Sequence, residues 1–354
     1  MNGLRFGGWA RALDDGRVEC ELCPRRCRLR DGQRGFCFVR QRVGSGVALT
    51  AYGKSTGFFA DPIEKKPLFH FLPGTLSLSF GAAGCNLRCR FCENWALSRT
   101  TTSSRLSHEA APEKIAQRAA ELRLSSVAFT YNEPLISAEM VLDVAAACRE
   151  RGIAAVAVSS GYATKEAARA FYGQMDAVTV GLKGFTDDGY RTGAAAHIEP
   201  VLETMRIIKR ETRAWLELSA VLLPGACGSK DVAARCEWIL KELGPEVPVH
   251  LLPFRPSFEM SSLPATSPSE AWRVRQVALG AGLRHVYVEG DQNTSDTRCG
   301  HCSEILVSRD AGAPVRVNLR GDKCPRCASV LAGRFGSGAP GCASDQWEPA
   351  RWCG

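Results

Sequence analysis

Gly84-Cys85-Asn86-Leu87-Arg88-Cys89-Arg90-Phe91-Cys92-Glu93-Asn94 sets three cysteines in the pattern C-x3-C-x2-C, and no further cysteine follows until Cys148. A 4Fe–4S cluster ordinarily takes four thiolates. Three in one tight loop leave one iron without a protein ligand, free to chelate a small molecule through an amine and a carboxylate. Upstream, Thr75-Leu76-Ser77-Leu78-Ser79-Phe80 alternates apolar and polar residues, the period of a strand. Gly81 and Gly84 then break that strand just ahead of Cys85. A cysteine loop at the C-terminal end of a first strand is where strand–helix barrels carry their chemistry. Three close cysteines also occur in zinc sites. Zinc ribbons usually pair two C-x2-C knuckles, however, and this chain has such knuckles elsewhere.

S-adenosylmethionine offers an amine and a carboxylate together, and its radical chemistry is what such a site would serve. The triad Cys85, Cys89 and Cys92 is therefore the candidate catalytic centre, as ligands of a 4Fe–4S cluster. In that chemistry one electron from an external reductant breaks the C5′–S bond of the sulfonium. The resulting 5′-deoxyadenosyl radical abstracts hydrogen from a substrate.

The chain has 354 residues, enough for about two domains, and 45% apolar with 23% charged residues marks it as globular rather than disordered. No apolar run reaches transmembrane length and the first residues carry no signal-peptide core, so we expect a cytoplasmic protein without a membrane partner. Sixteen cysteines in a reducing compartment are better read as metal ligands than as disulfides. The net charge of +8 is modest and no nucleic-acid motif accompanies it, so no nucleic-acid partner is expected.

Two further cysteine groups flank the triad. Cys20, Cys23, Cys27 and Cys37 fall within eighteen residues and suit a closed four-thiolate site. Zinc is its simplest occupant, with an auxiliary iron–sulfur cluster as the rival. Cys299, Cys302, Cys324 and Cys327 form two C-x2-C knuckles, a zinc-ribbon pattern, with the alternating Val315–Leu319 and the turn Arg320-Gly321-Asp322 between them. His301 lies in a knuckle whose site four thiolates already fill. Cys148 and Cys236 are in phase with apolar helix positions and read as core. Cys342 and Cys353 fall in a Gly/Ser/Pro-containing tail, and Cys227 follows a strand near the expected barrel mouth.

Between residues 76 and 290 strands alternate with helices. After the first, the strand candidates are Ser126–Thr130, Ala154–Ser159, Asp176–Gly181, Ala214–Leu222, Val249–Leu252 and His285–Glu289. One helix is marked by the stripe Ile198, Val201, Leu202, Met205 and Ile208; another is expected from Ser107-His108-Glu109 to about Leu124. Six or seven such units make an open, partial barrel rather than a closed one of eight. The fold class is thus α/β: a partial (βα)6 barrel, with a small N-terminal four-cysteine module and a C-terminal zinc ribbon. The boundaries are 1–75 for the first module and lead-in, 76–295 for the barrel, 296–335 for the ribbon and 336–354 for a flexible tail.

The strand ends are polar. The second ends in Thr130-Tyr131-Asn132-Glu133-Pro134, where Glu133 is placed to accept from an amine, and where Pro134 equally suits a first helical turn. The third ends in Ser159-Ser160-Gly161-Tyr162, whose hydroxyls suit ribose or carboxylate oxygens. The fourth brings Lys183, a carboxylate partner, and the sixth leads to Arg255 at the mouth. With Phe91 and Asn94 of the triad loop and Thr130, these are the candidate cofactor-binding residues.

The triad with Asn94-Trp95, the Thr130–Pro134 run and Asp61-Pro62-Ile63-Glu64-Lys65-Lys66-Pro67-Leu68-Phe69-His70-Phe71-Leu72-Pro73-Gly74 together resemble the radical S-adenosylmethionine enzyme of the AmmeMemoRadiSam system. That family is related to the activating enzymes of pyruvate formate-lyase. The resemblance spans about residues 17 to 335, and the 61–74 segment is its most specific part. It implies a partial barrel holding a 4Fe–4S cluster and S-adenosylmethionine, with Asn132 and Glu133 near the methionyl amine, and Ser159 and Lys183 near its carboxylate and sulfonium end. It implies an oxidoreductase fed by a flavodoxin- or ferredoxin-like reductant and acting on a protein or small molecule, in company with a partner protein. Gly181, Ser160, Cys227 and Glu289-Gly290-Asp291 depart from the usual pattern and bear on the substrate pocket. Glycyl-radical activation is the alternative activity. The extra cysteines flank the barrel instead of following the triad, which speaks against a standard activase. A metal-stapled scaffold without catalysis is the third reading, and the presence of both the triad and Glu133 argues against it.

Overall fold

Strand segments such as Ser126–Phe129 and Ala177–Leu182 are buried at every position, the mark of a parallel sheet covered on both faces. In the computed structural model, which describes residues 4–100, 108–184, 186–224, 228–310 and 312–336, seven strands run parallel. They are β2 (Leu76–Phe80), β3 (Ser126–Phe129), β4 (Ala154–Ser159), β5 (Ala177–Leu182), β6 (Trp215–Leu222), β7 (Val249–Pro253) and β8 (Val286–Val288). They lie side by side in chain order. An eighth strand, β1 (Phe58–Pro62), pairs antiparallel with β2 and was not anticipated. The sheet is open: β1 and β8 are its two edges. Helices between successive strands cover one face, with Leu78, Phe80, Val127, Phe129, Val178, Val180, Leu216 and Leu218 in the core they share.

The helix expected from Ser107 begins instead at Pro112 and runs to Glu121. Proline at the first turn has its φ already set for a helix and no N–H to lose, whereas His108–Glu109 pairs as a short strand with Lys54–Ser55. The Val201–Ile208 stripe is buried in helix Glu199–Glu211, and Cys148 and Cys236 are core residues. Small antiparallel sheets stand at both ends: Ala10–Ala12, Val18–Cys20 and Arg28–Leu29 near the N-terminus, and Thr297–Arg298, Ile305–Ser308 and Arg316–Val317 near the C-terminus. Cys227 and the cysteines of the 336–354 tail lie outside the described residues. Among the described residues no helix is long and apolar enough to cross a membrane.

The other face of the sheet is small and polar. Strand registers put Ser77, Ser126, Ala128, Val156, Ala177, Thr179, Glu217, Ser219, His250 and Tyr287 on it together. The 61–74 segment fills this face. Ile63, Leu68 and Phe71 pack on Ala128, Val156 and Ala177. The Thr179 hydroxyl donates to the carbonyl of Lys66 at 2.6 Å, and the backbone N–H groups of Phe69 and His70 donate to Glu217 at 3.0 and 2.7 Å. The segment thus plugs the sheet's inner face, and these three backbone groups find their partners there.

Glu217 also accepts from Trp215 Nε1 at 2.9 Å and binds His250 Nε2 at 2.7 Å. Burial opposes its charge, but the His250 contact, His70 and the Phe69 N–H outweigh that and hold its pKa down at about 2. His70, wholly buried and bonded to Tyr287 Oη and the carbonyl of Ala332, has its pKa pushed down to about 3 by burial, with His285 adding to the effect. Both folded values lie below the unfolded ones, so the unfolded chain binds more protons and acid weakens the fold. His70 contributes its full stability above an unfolded pKa of about 6.5, and loses about 2 kcal/mol of it by about pH 5. Thermal unfolding of the wild type is expected to move steadily lower from neutral pH to about pH 5, and a His70→Gln variant, less stable at neutral pH, to show a shallower slope. Parallel slopes would remove His70 as the cause.

Candidate active site

The triad loop leaves the C-terminal end of β2 and is pinned by backbone contacts on each side. Arg88 N donates to the carbonyl of Ala194 and Arg90 N to that of Gly193, both at 2.9 Å, and Gly84 N reaches Leu97 O at 3.1 Å. Cys85 Sγ accepts from Leu87 N at 3.4 Å, and Cys92 Sγ lies 3.3 Å from Ser98 Oγ. Burial pushes the Cys89 thiol up to about 11 against the pull of the Lys183 ammonium, which lines the same cavity as the triad. Burial likewise raises Cys85, with Cys89 and then Glu133 adding to the rise. Burial disfavours free thiolates at these positions, so a bound metal would supply the charge that deprotonates them.

The three cysteines open into one cavity of about 320 Å³ at the C-terminal strand ends. Every candidate cofactor-binding residue lines it: Phe91, Asn94, Thr130, Asn132, Glu133, Ser159, Lys183 and Arg255. Among the described residues no fourth cysteine does. Lys65 and Pro67 of the plug join from below, and Tyr131, Ser160, Ser219 and Glu289 from the sides. Ser219 was legible in principle, since it stands two residues after Glu217 on the inner face of β6. Lys65 was not, because nothing local in its segment says that it fills a sheet.

Several of these residues are already engaged. Asn132 Nδ2 donates to Gly84 O at 2.8 Å and its Oδ1 accepts from Ala82 N at 3.1 Å, so it clamps the triad loop to the end of β3. Asn94 Nδ2 donates to Tyr131 O at 2.9 Å. Glu133 is buried and takes four hydrogen bonds: Leu135 N and Ser159 Oγ on Oε1, Ser160 N and Ser160 Oγ on Oε2, at 2.6 to 3.0 Å. Ser159 Oγ also meets Tyr172 Oη at 2.7 Å and Gly161 N at 3.0 Å. Lys183 Nζ lies 3.1 Å from where a Cβ on Gly181 would stand. The glycine that departs from the family pattern thus leaves the room into which this lysine folds. Arg255 and Glu289 face each other at 3.6 Å at the exposed rim.

Gly84 is the hinge of the loop. Its φ is +83°, and a Cβ there would lie 2.0 Å from the carbonyl oxygen of Cys37. Left-handed backbone costs a non-glycine residue about 1–2 kcal/mol, and the backbone clash adds to it. Gly84→Ala is expected to lower the melting temperature and the iron content together; a variant with wild-type iron and stability would show that the two loops do not need this contact.

The C-terminal cysteines come together as a metal-binding set. Cys299, Cys302, Cys324 and Cys327 have all four sulfurs within 4.8 Å of one another, and His301 is not among the donors. The N-terminal quartet is assembled differently. Cys20 ends a strand paired with Ala10, Cys27 accepts from Phe36 N at 3.4 Å, and the backbone of Cys37 rests on Gly84.

The model of the radical SAM superfamily matches residues 81–226, from the triad loop through the strand ends. The uncharacterized protein MJ0808 of Methanocaldococcus jannaschii is 33% identical over 300 residues, covering 84% of this chain and 89% of that one. This chain belongs to the radical SAM superfamily, and membership implies an enzyme using S-adenosylmethionine and an iron–sulfur cluster. Among solved structures it is similar to a domain of the pyruvate-formate lyase-activating enzyme of Bacteroides vulgatus, at 20% identity over 47% of this chain and 99% of that one, with a TM-score of 0.41. It is also similar to QueE of Escherichia coli, at 14% identity over 67% of this chain and 93% of that one, with a TM-score of 0.41.

Proposed function

We propose that this chain is an oxidoreductase that cleaves S-adenosylmethionine reductively at a 4Fe–4S cluster held by Cys85, Cys89 and Cys92, and abstracts hydrogen from a protein or small-molecule substrate. The observation that carries it is convergence: three cysteines, with no fourth among the described residues, open into one cavity lined by polar residues from successive strand ends. Bound there, the cluster and S-adenosylmethionine would supply the electron transfer and the 5′-deoxyadenosyl radical.

The chain's own part is to bind, orient and exclude water. Lys183 supplies a cation beside the triad for a carboxylate. Glu133 fixes the Ser159 and Ser160 groups that face the cavity. Phe91, packed with Leu223 and Phe254, gives one wall an apolar surface suited to keeping water from a reactive species. Within the superfamily we assign the chain to the AmmeMemoRadiSam system on the sequence likeness of the 61–74 segment, which also lines the cavity through Lys65 and Pro67. The reductant is a flavodoxin- or ferredoxin-like protein, the C-terminal cysteines hold zinc in a ribbon, and the protein works in the cytoplasm.

The test is anaerobic reconstitution with iron and sulfide, then addition of S-adenosylmethionine and dithionite. The expected product is 5′-deoxyadenosine. No product from protein with an intact cluster would overturn the proposal.

A further inference from the structure

We infer that Cys20, Cys23, Cys27 and Cys37 hold a second 4Fe–4S cluster rather than zinc, and that this cluster is the port through which a one-electron donor reduces the triad site. The second half rests on the function proposed above; the first half does not.

The protein carries its own standard for a zinc site. Four sulfurs at about 2.3 Å from one tetrahedral ion stand about 3.8 Å from one another. The C-terminal quartet meets this: Cys299 and Cys327 sulfurs are 3.6 Å apart, as are those of Cys302 and Cys324. Among the described residues it is the one group of three or more possible ligands whose atoms all lie within 4.8 Å. Cys20, Cys23, Cys27 and Cys37 are all described, so no three of their sulfurs close to that distance. The triad behaves in the same way. A cubane carries its irons at separate corners, each with its own outward thiolate, and so needs its sulfurs farther apart than a single ion does. One of the three cysteine groups therefore has the zinc spacing, and the other two do not.

The framework fixes the backbone that carries the N-terminal quartet. Cys20 lies in the strand Val18–Cys20, fixed against Ala10 and by its N–H to Cys27 O at 2.9 Å. Cys27 Sγ takes the N–H of Phe36 at 3.4 Å, nine residues along the chain. Cys20, Cys23 and Cys37 are buried.

Position gives the role. The carbonyl of Cys37 sits where a side chain of Gly84 would be, and Gly84 immediately precedes Cys85. Arg25, between Cys23 and Cys27, donates from Nε to the carbonyl of Asn86 at 3.0 Å, just after Cys85. The two cysteine loops therefore touch backbone to backbone, with no intervening layer of side chains. With both clusters bound, one electron from a low-potential flavodoxin or ferredoxin would enter at the quartet Cys20, Cys23, Cys27 and Cys37 and pass on to the triad Cys85, Cys89 and Cys92, each cluster cycling between 2+ and 1+ with no bond formed or broken.

The first test is the triple variant Cys85→Ala, Cys89→Ala, Cys92→Ala, isolated without oxygen and assayed for iron, sulfide and zinc. The expected result is about four irons with about one zinc per chain, and an electron paramagnetic resonance signal of a reduced cluster after dithionite. About two zincs and no iron would overturn the inference. Should that variant fail to fold, the quadruple variant lacking Cys20, Cys23, Cys27 and Cys37 decides: iron falling by about half with zinc unchanged supports the cluster, and zinc falling with iron unchanged refutes it. For the port, a Cys23→Ala protein that keeps its triad cluster is expected to lose reduction by reduced flavodoxin, while keeping reduction by dithionite and the spectral change on adding S-adenosylmethionine. Undiminished reduction by flavodoxin would refute the port. A protein with both clusters but no 5′-deoxyadenosine would count against the proposed function and leave the second cluster standing.

Discussion

Cys89→Ala is expected to bring 5′-deoxyadenosine formation to background and to remove about four irons per chain, leaving zinc unchanged. The reason lies in what holds the loop. Arg88 and Arg90 on either side are fixed by their backbone N–H groups to Ala194 and Gly193, and the Cys89 carbonyl accepts from Arg99 Nη2 at 3.3 Å. None of these contacts uses the Cys89 side chain. The substitution therefore removes a ligand without releasing the loop, and its effect on the melting temperature of cluster-free protein is expected to stay within about 1 kcal/mol. Cys85 and Cys92 alone offer a cluster two thiolates. The measurements are iron and zinc content, visible absorption and product formation, on protein reconstituted in parallel with the wild type. Full iron with no product would place Cys89 in the chemistry but not in ligation, and product at the wild-type rate would remove the triad from the mechanism.

The triad was legible because cluster ligation within one loop is a local property: spacing and a preceding strand suffice. The parallel strands were legible for a similar reason, since a buried strand such as Ala154–Ser159 announces itself by composition, and it was located to the residue. The antiparallel strand Phe58–Pro62 was not. It ends in proline and its burial alternates poorly, so only its partner β2 makes it a strand. The role of the 61–74 segment was hidden more deeply. As sequence it is a family mark; as structure it is a plug whose backbone N–H groups are satisfied by Glu217, some 147 residues away. A contact between positions so far apart leaves no periodic trace in either. The Cys20–Cys37 group shows the same limit for metal sites: spacing admits both zinc and a cluster, and only the distances between sulfurs separate them.

Glu133→Gln is expected to lower both the melting temperature and the affinity for S-adenosylmethionine, with iron content near that of the wild type. A carboxylate has about four acceptor sites, and here all four are used, by Leu135 N, Ser159 Oγ, Ser160 N and Ser160 Oγ. Glutamine keeps one acceptor oxygen and sets an NH2 against the donors on the other side. The two serine hydroxyls can rotate to accept, but an N–H cannot, so either Ser160 N or Leu135 N is left without its partner. A buried unsatisfied donor costs about 1–3 kcal/mol, and more where the lost acceptor was charged. The strand end bearing Ser159 and Ser160 is then no longer held toward the cavity, and a loss of about 1.4 kcal/mol there weakens binding about tenfold. Calorimetric titration of S-adenosylmethionine onto reconstituted protein, beside thermal unfolding of the same samples, separates two roles. A fall in both quantities makes Glu133 a positioning residue that acts through the serines. Lost affinity at wild-type stability would mean that the carboxylate turns from its four partners to meet the methionyl amine, the contact expected from sequence, and that the hydrogen bonds on Glu133 are a resting arrangement which binding breaks.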